Sequence, residues 1–420
     1  MTAFDRRALD LISQHLPAWR VEQMNDAWAG FEAQELPTGA EEEWRYVDLG
    51  VDLDALSPAT EEGRPLPEGD FLRRARENAL SASVTIVDGM VQAAEGSAAV
   101  TVRRMAELDE LRPAAPVDRD KLAAAHLAFA GDGVRVEVQP KQVVEAPVLI
   151  DVQSTQAGVM SFPHVELAVG PGAEAGFLLL HRSPDGVEMV SVPGVTIEAG
   201  EGGRIRYQSV QSWGDATVGV VHQRVHLGRD ANGWIGEAGL GGRIGRLDLH
   251  AELEGAGSST QIVGLYFGEG DQTLDYRMLI DHIGRSTSSD VFLKGAVEDS
   301  AQSIFTGLLR IEKDALRSSA FETNRNLVLS ENAKAHSVPN LEILCDDVVC
   351  GHGSSVGPLE DEHLYYLQSR GLSRARAERM LIRGFFTEAI DRLPIDVVER
   401  PIKEAVFRRF VQAQEEGRLS

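Results

Sequence analysis

Val165-Glu166-Leu167-Ala168-Val169-Gly170-Pro171-Gly172-Ala173 decides the fold class. Val165, Leu167 and Val169 alternate with other residues at a period of two, the mark of a half-buried strand. A corner of small, turn-forming residues follows at once. The same pair of features recurs outward in both directions. Val134, Val136 and Val138 alternate upstream, and Val195, Ile197, Ala199 and then Leu247, Leu249, Ala251 alternate downstream. Corners stand at 199–203, 228–233, 254–257 and 329–333; the early ones are spaced by roughly 30 residues, as in a degenerate solenoid repeat. No convincing amphipathic helix interrupts residues 96–355 for roughly 200 residues, which disfavours a βαβ sheet because its crossovers need helices. A sandwich or barrel and a parallel β-helix remain. Small corners, 41 glycines and only 6% aromatic residues favour the β-helix.

The flanks read differently. Residues 1–95 are mainly helical: Leu9, Ile12, Leu16 and Trp19 form one face, and Val21, Met24, Trp28 and Phe31 continue it after Pro17. Ser57 to Gly69, rich in proline, glycine and acids, reads as a linker or mobile loop. Residues 356–420 are helical again. A first helix within Pro358–Gln368 ends at Gly371, and Ser373 caps a second whose face is Ala377, Met380, Leu381, Gly384, Phe385 and Ala389. Pro394 stops that helix. A third begins near Asp396, with Val397, Val398, Ile402, Val406 and Phe410 inward, and Pro401 kinks it or marks its restart. The expected organisation is 1–95 helical, 96–355 β-helix, 356–420 helical.

Bulk properties narrow the function. A net charge of −24 over 420 residues repels phosphate backbones and anionic membranes, so neither nucleic acid nor membrane is an expected partner. Two cysteines argue against a secreted disulfide scaffold. Met1 to Arg20 carries charges throughout and lacks an apolar signal region, and the longest apolar runs are too short to span a bilayer. A cytoplasmic location is expected.

The chemistry concentrates in Cys345-Asp346-Asp347-Val348-Val349-Cys350-Gly351-His352-Gly353. Cys350 and His352, one residue apart, share a strand face, whereas Cys345 falls on the opposite face unless a bulge intervenes. Thiols and imidazoles bind soft and borderline metals. A closed tetrahedral site needs four ligands, so the segment supplies half a site at most. A packed cysteine and a hydrogen-bonded histidine are the alternative. Asp346 and Asp347 face opposite ways in a strand and make no acid/base pair. No nucleotide-binding loop, G-x-S-x-G elbow or H-E-x-x-H occurs. Gly239-Leu240-Gly241-Gly242 is turn chemistry, and His222, His226, His250 and His282 are structural histidines.

The run Asn326-Leu327-Val328-Leu329-Ser330, Pro339-Asn340-Leu341-Glu342-Ile343, Asp346 to Gly353 and Leu364 to Gly371 resembles the SufB/SufD family of iron–sulfur cluster assembly scaffolds. Glu43-Trp44-Arg45-Tyr46 is similar to an N-terminal signature of SufD-type chains, and the order Cys350-Gly351-His352-Gly353 is also SufD-like. Ser354-Ser355 departs from the Ala-Thr common in the family. The resemblance implies a right-handed parallel β-helix flanked by helical N- and C-terminal parts, in a scaffold subunit that is not an enzyme. It implies that His352, with Cys350 beside it, contributes to a transient iron–sulfur cluster shared with a SufB-like subunit, with no tightly bound cofactor. It further implies that a SufC-like ABC-type ATPase docks on the C-terminal helices, around Leu364, Tyr365, Leu367, Arg370, Met380, Leu381 and Phe385. A homodimer of the isolated chain, a SufB-like primary cluster scaffold and, remotely, a β-helix enzyme acting on polysaccharide are the other readings.

Overall fold

The computed structural model describes residues 3–415, with side chains as far as Arg409. It is mainly β, a parallel β-solenoid of about 8 turns with helices at both ends of the chain. From Asn232 to Val328 successive strands alternate between two sheets, so each pairs with the second strand before and after it; in the earlier coils short extra strands at 159–161 and 189–191 intervene. Ile244, Thr273 and Gln302 stand in parallel register at intervals of 29 residues in one sheet, and Ser259 and Ser288 do so in the other. Only the first pairings, Ala82–Val87 with Met90–Glu95 and Val100–Arg104 with Val134–Val138, are antiparallel.

The alternation read in the sequence sets the core. Val165, Leu167, Val169, Val195, Ile197, Leu247, Leu249 and Ala251 belong to one buried cluster inside the solenoid. The corners hold because one residue per coil adopts positive φ: Gly172, Gly202, Asp230, Gly257, Ser286 and Arg317. Each donates its N–H to a carbonyl one coil further on, from Gly172 to Glu201 through to Arg317 to Asp347. Glycine takes this conformation freely, and aspartate and serine are short enough to tolerate it.

The N-terminal part is less purely helical than expected. Helices α1 (Arg6–Ser13), α2 (Ala18–Ala33) and α3 (Asp70–Arg76) form, but residues 82–95 are already strands of the solenoid. A further helix, α4 (Lys121–Phe129), lies inside the stretch expected to be helix-free. Its residues Leu122 to Phe129 are all buried, so it has no polar face for periodicity to detect. Arg20 of α2 donates to the carbonyls of Leu127 and Ala130 at 2.8 and 2.9 Å, and Phe31 meets Phe129 edge-on at 5.5 Å. The expected linker 57–69 is anchored: Ser57 and Pro58 pair in parallel with Val159 and Met160, and Leu66 N–H donates to Gln153 Oε1 at 2.6 Å. Trp44 is buried beneath the Arg246 guanidinium, 3.8 Å from the ring centre, and Tyr46 stacks on His336 at 4.2 Å. The Glu43–Tyr46 signature thus clamps the N-terminal segment onto the outside of the solenoid.

Three C-terminal helices, α5 (Asp361–Ser369), α6 (Arg374–Ile390) and α7 (Glu399–Glu415), cover the outer face of the other sheet. Gly371, at φ +91°, ends α5 as expected, whereas Ser373 sits at the start of α6 without making a side-chain cap. The expected α6 face is displaced. Ala377 and Ala389 are buried, but their companions are Ile382, Phe386 and Ile390, packed with Leu265, Phe267 and Phe292; Met380 is 58% exposed, Gly384 is exposed, and Leu381 and Phe385 are half-buried. Pro401 falls in the first turn of α7, where its missing N–H has no partner to lose, so no kink is needed. Val398, Ile402 and Val406 are inward and Val397 is half-buried; the Phe410 side chain lies outside the described residues. Among the described residues, no helix is long and apolar enough to cross a membrane.

Candidate functional site at the open end of the solenoid

The last strand of each sheet, Lys334–Ile343 and Val349–Gly357, pairs on one side only. Register fixes which way their side chains point. Ala320, Glu322 and Asn324 are buried inside the solenoid, and Cys350, His352 and Ser354 stand in register directly above them. Cys350 and His352 therefore share the interior-facing side, as the spacing predicted, in a rung that nothing among the described residues covers. Cys350 is half-buried against the core and His352 is exposed.

Cys345 is placed differently from the expectation. It lies off both strands, in the 344–348 corner, buried in the same interior cluster that Cys350 packs against, so strand parity does not apply to it. Both thiols are free. Asp346 and Asp347 share that corner, and the Asp347 carbonyl accepts from the Arg317 N–H at 2.6 Å, a structural role.

The rung below carries an acid that the sequence reading missed. Glu322 is 2% exposed, and neither of its carboxyl oxygens has a hydrogen-bond partner. The carboxyl group reaches across the lumen to Gly307, where an added Cβ would collide with it. Burial pushes Glu322 up to about 8. Alternation alone does not reveal it: Ala320, Glu322 and Asn324 alternate with Phe321 and Thr323, and only the register shows that the acid, not Phe321, points inward. Beside it a hydrogen-bonded chain runs inward from the surface. Ser354 donates to Ser337 at 2.8 Å, Ser337 to Asn324 at 2.8 Å, Asn326 to Asn324 at 2.5 Å, and Tyr266 to Asn326 at 2.6 Å.

Apolar side chains surround this end. Leu341 and Ile343 are in register with the buried Leu309 and Ile311, yet are 37% and 36% exposed because no further rung covers them. Val338, Leu344, Val349 and Val356 are exposed around them. Several exposed apolar side chains at one end of a fold are a mark of an interaction surface.

The expected ATPase-docking residues spread over α5 and α6. Leu364 is buried, Leu367, Leu381 and Phe385 are half-buried, and Tyr365 (76% exposed), Arg370 and Met380 face solvent. Leu381 and Phe385 line a cleft of about 900 Å³ between α5, α6 and the last strand. Lys294 secures α6 there, donating to the Phe385 carbonyl at 2.8 Å and to Glu388 at 2.6 Å.

Elsewhere the histidines have structural settings. His282 is held by Thr287 and Ser289, both at 2.8 Å, and burial lowers it to about 4. His250 meets Asp281 at 2.8 Å, whereas His222 departs from the expectation: it is buried 4.0 Å from Asp120 with neither ring nitrogen hydrogen-bonded. His226 joins Glu252 and Glu254 in the one set of three potential ligand atoms within 4.8 Å of each other among the described residues. Arg224 already grips Glu252 with two 2.8 Å bonds. Burial pushes the Glu252 pKa up, but hydrogen bonds from His226 and Arg224 outweigh it and hold the carboxyl well below the usual range. Its charge is thus already matched without a metal.

These features define a parallel β-solenoid with a thiol–imidazole pair at an uncovered end. Residues 152–385 match the family described as SUF system FeS cluster assembly, SufBD core domain. The chain is 30% identical over 387 residues to an iron–sulfur cluster assembly SufBD family protein of Mycobacterium bovis, covering 89% of each chain. It is 30% identical over 300 residues to the iron–sulfur cluster assembly protein SufD of Bacillus subtilis, covering 70% of this chain and 68% of that one. Over 192 residues it is 30% identical to SufD of Escherichia coli, covering 46% and 44%. The chain belongs to the SufB/SufD family of iron–sulfur cluster assembly proteins and within it is SufD-like.

Proposed function

We propose that the chain is a non-catalytic, SufD-like scaffold subunit that pairs through the open end of its solenoid with a SufB-like subunit and carries a SufC-like ATPase on α5 and α6. The cluster is cargo: His352, with Cys350 beside it, contributes ligands from this side of the seam, and the partner contributes the rest. The observation that carries the reading is the interior-facing Cys350–His352 pair in a rung left uncovered, ringed by apolar side chains.

The physical logic is that of a half-site. A sulfur and a nitrogen donor suit iron, and too few ligands on one chain keep the site open for release. The uncovered rung and the unpaired strand edges offer backbone and apolar groups to a second chain. In isolation the same edge would pair two copies of this chain. The exposed Tyr365, Arg370 and Met380 beside the cleft give the ATPase an amphipathic surface. Free thiols suit a reducing compartment such as the cytoplasm.

Purification of the tagged full chain from its own cells tests the assembly. Stoichiometric recovery of a SufB-like chain and a SufC-like ATPase is expected; recovery of the chain without either contradicts the proposal. A chain that assembles a cluster with no partner would instead be a primary, SufB-like scaffold.

A further inference from the structure

We infer that Glu322 is a third ligand beside Cys350 and His352, so that this chain by itself presents sulfur, nitrogen and oxygen donors to a ferrous ion at the open end of the solenoid. The inference rests on the half-site reading above and extends it one rung inward.

The column containing Glu322 shows why. Tyr207, Ile235, Ile262, Val291, Glu322 and His352 stand in register on successive coils, all on the interior face. Beneath the acid are three aliphatic side chains; above it is His352. Across the lumen it meets Gly307, whose neighbour in the uncovered rung is Pro339, so neither brings a side-chain donor. Among the other buried acids of the solenoid, Asp151 is paired with Arg182, Glu166 with Arg135, and Glu237 has one oxygen bonded, accepting from Gln223 at 2.9 Å. Glu322 has both oxygens buried and unpartnered. A buried carboxyl without a partner costs folding free energy, and a ligand-binding role explains its presence.

Geometry permits the contact. As placed, the ligand atoms of Glu322, Cys350 and His352 are not all within 4.8 Å of one another; adjacent parallel strands are about 4.8 Å apart, so binding requires the glutamate side chain to rotate away from Gly307 toward the His352 rung, a side-chain movement only. A thiolate and a carboxylate together match the charge of a divalent ion, and the mixed donor set suits a borderline metal. The remaining positions face outward, toward the seam where a partner's ligands and sulfide would arrive.

The test uses the full-length chain under anaerobic conditions with Fe²⁺ alone, followed by calorimetry, and with Co²⁺ as a spectroscopic stand-in. One Fe²⁺ per chain is expected. Glu322→Gln, which preserves volume, should weaken Fe²⁺ binding tenfold or more and shift the Co²⁺ ligand-field bands, with His352→Ala and Cys350→Ser weakening it as well. If Glu322→Gln binds like the unaltered chain while His352→Ala is weakened, Glu322 is no ligand and the half-site stands. If His352→Ala also binds normally, the half-site reading itself fails. A chain that binds no Fe²⁺ overturns the inference. Circular dichroism checks folding, and Glu322→Asp, which retracts the carboxylate by one methylene, replaces the glutamine variant if that one does not fold; it should weaken binding several-fold, and unchanged affinity again removes Glu322 from the site.

Discussion

Gly307 is the residue on which the placement of Glu322 depends. A methyl group there would strike only the end of the flexible Glu322 side chain, which can rotate toward the open rung, so Gly307→Ala should displace the carboxyl group at little cost in stability. Urea unfolding measures this, and a large drop in the midpoint would mean that the Glu322 side chain cannot leave its place against Gly307. A second buried acid gives a pH prediction. Burial raises Glu237 to about 8, so the folded state keeps a proton that the unfolded chain has already lost above the ordinary glutamate range. Its stabilising contribution is complete below about pH 4 and is lost as pH rises toward 8, by roughly 1 kcal/mol per pH unit. Glu237→Gln, which cannot ionise, should therefore gain stability relative to the native chain between pH 5 and pH 8; a pH-independent difference would contradict it. Neither acid stands out in the sequence, because an inward and an outward glutamate look alike until strand parity is tied to a register. Cys350 and His352 were legible because their i, i+2 spacing fixes a common face in any strand. Cys345 was not, because its segment is a corner.

Among the elements, strands and corners were readable since both carry local signals: a period of two, and small residues where the backbone needs positive φ. Helix α4 was hidden by being apolar all round. In α6 two stripes overlap within the same i, i+3, i+4 pattern, and only contact with Leu265, Phe267 and Phe292 decides between them. Ile382 and Phe386 are inward and Met380 is outward, which separates the packing face from the proposed docking face. Phe386→Ala should cost about 3–5 kcal/mol and loosen the C-terminal helices, seen as lost helical signal or protease resistance. Met380→Asp should leave both intact while weakening ATPase binding. Equal effects of the two substitutions would contradict the observed face.

For the whole molecule, the two ends of the solenoid differ. Antiparallel strands finish the N-terminal end, and helices cover the outer faces of both sheets. The last rung is left with Leu341, Ile343, Cys350 and His352 uncovered. The overall plan of helices, solenoid and helices followed from the change of period along the chain. The uncovered rung did not, because openness belongs to the last coil and no local pattern marks it. The surface role of this rung can be checked by Leu341→Asp, which should leave the melting temperature within a few degrees while abolishing pairing in size-exclusion chromatography.

The central claim is that this rung holds half of a cluster site. It is tested most directly by assembling the chain with its SufB-like and SufC-like partners and measuring iron and sulfide bound per complex after reconstitution. His352→Ala should give a complex of unchanged composition with markedly less cluster. An intact complex with an undiminished cluster yield would contradict the account.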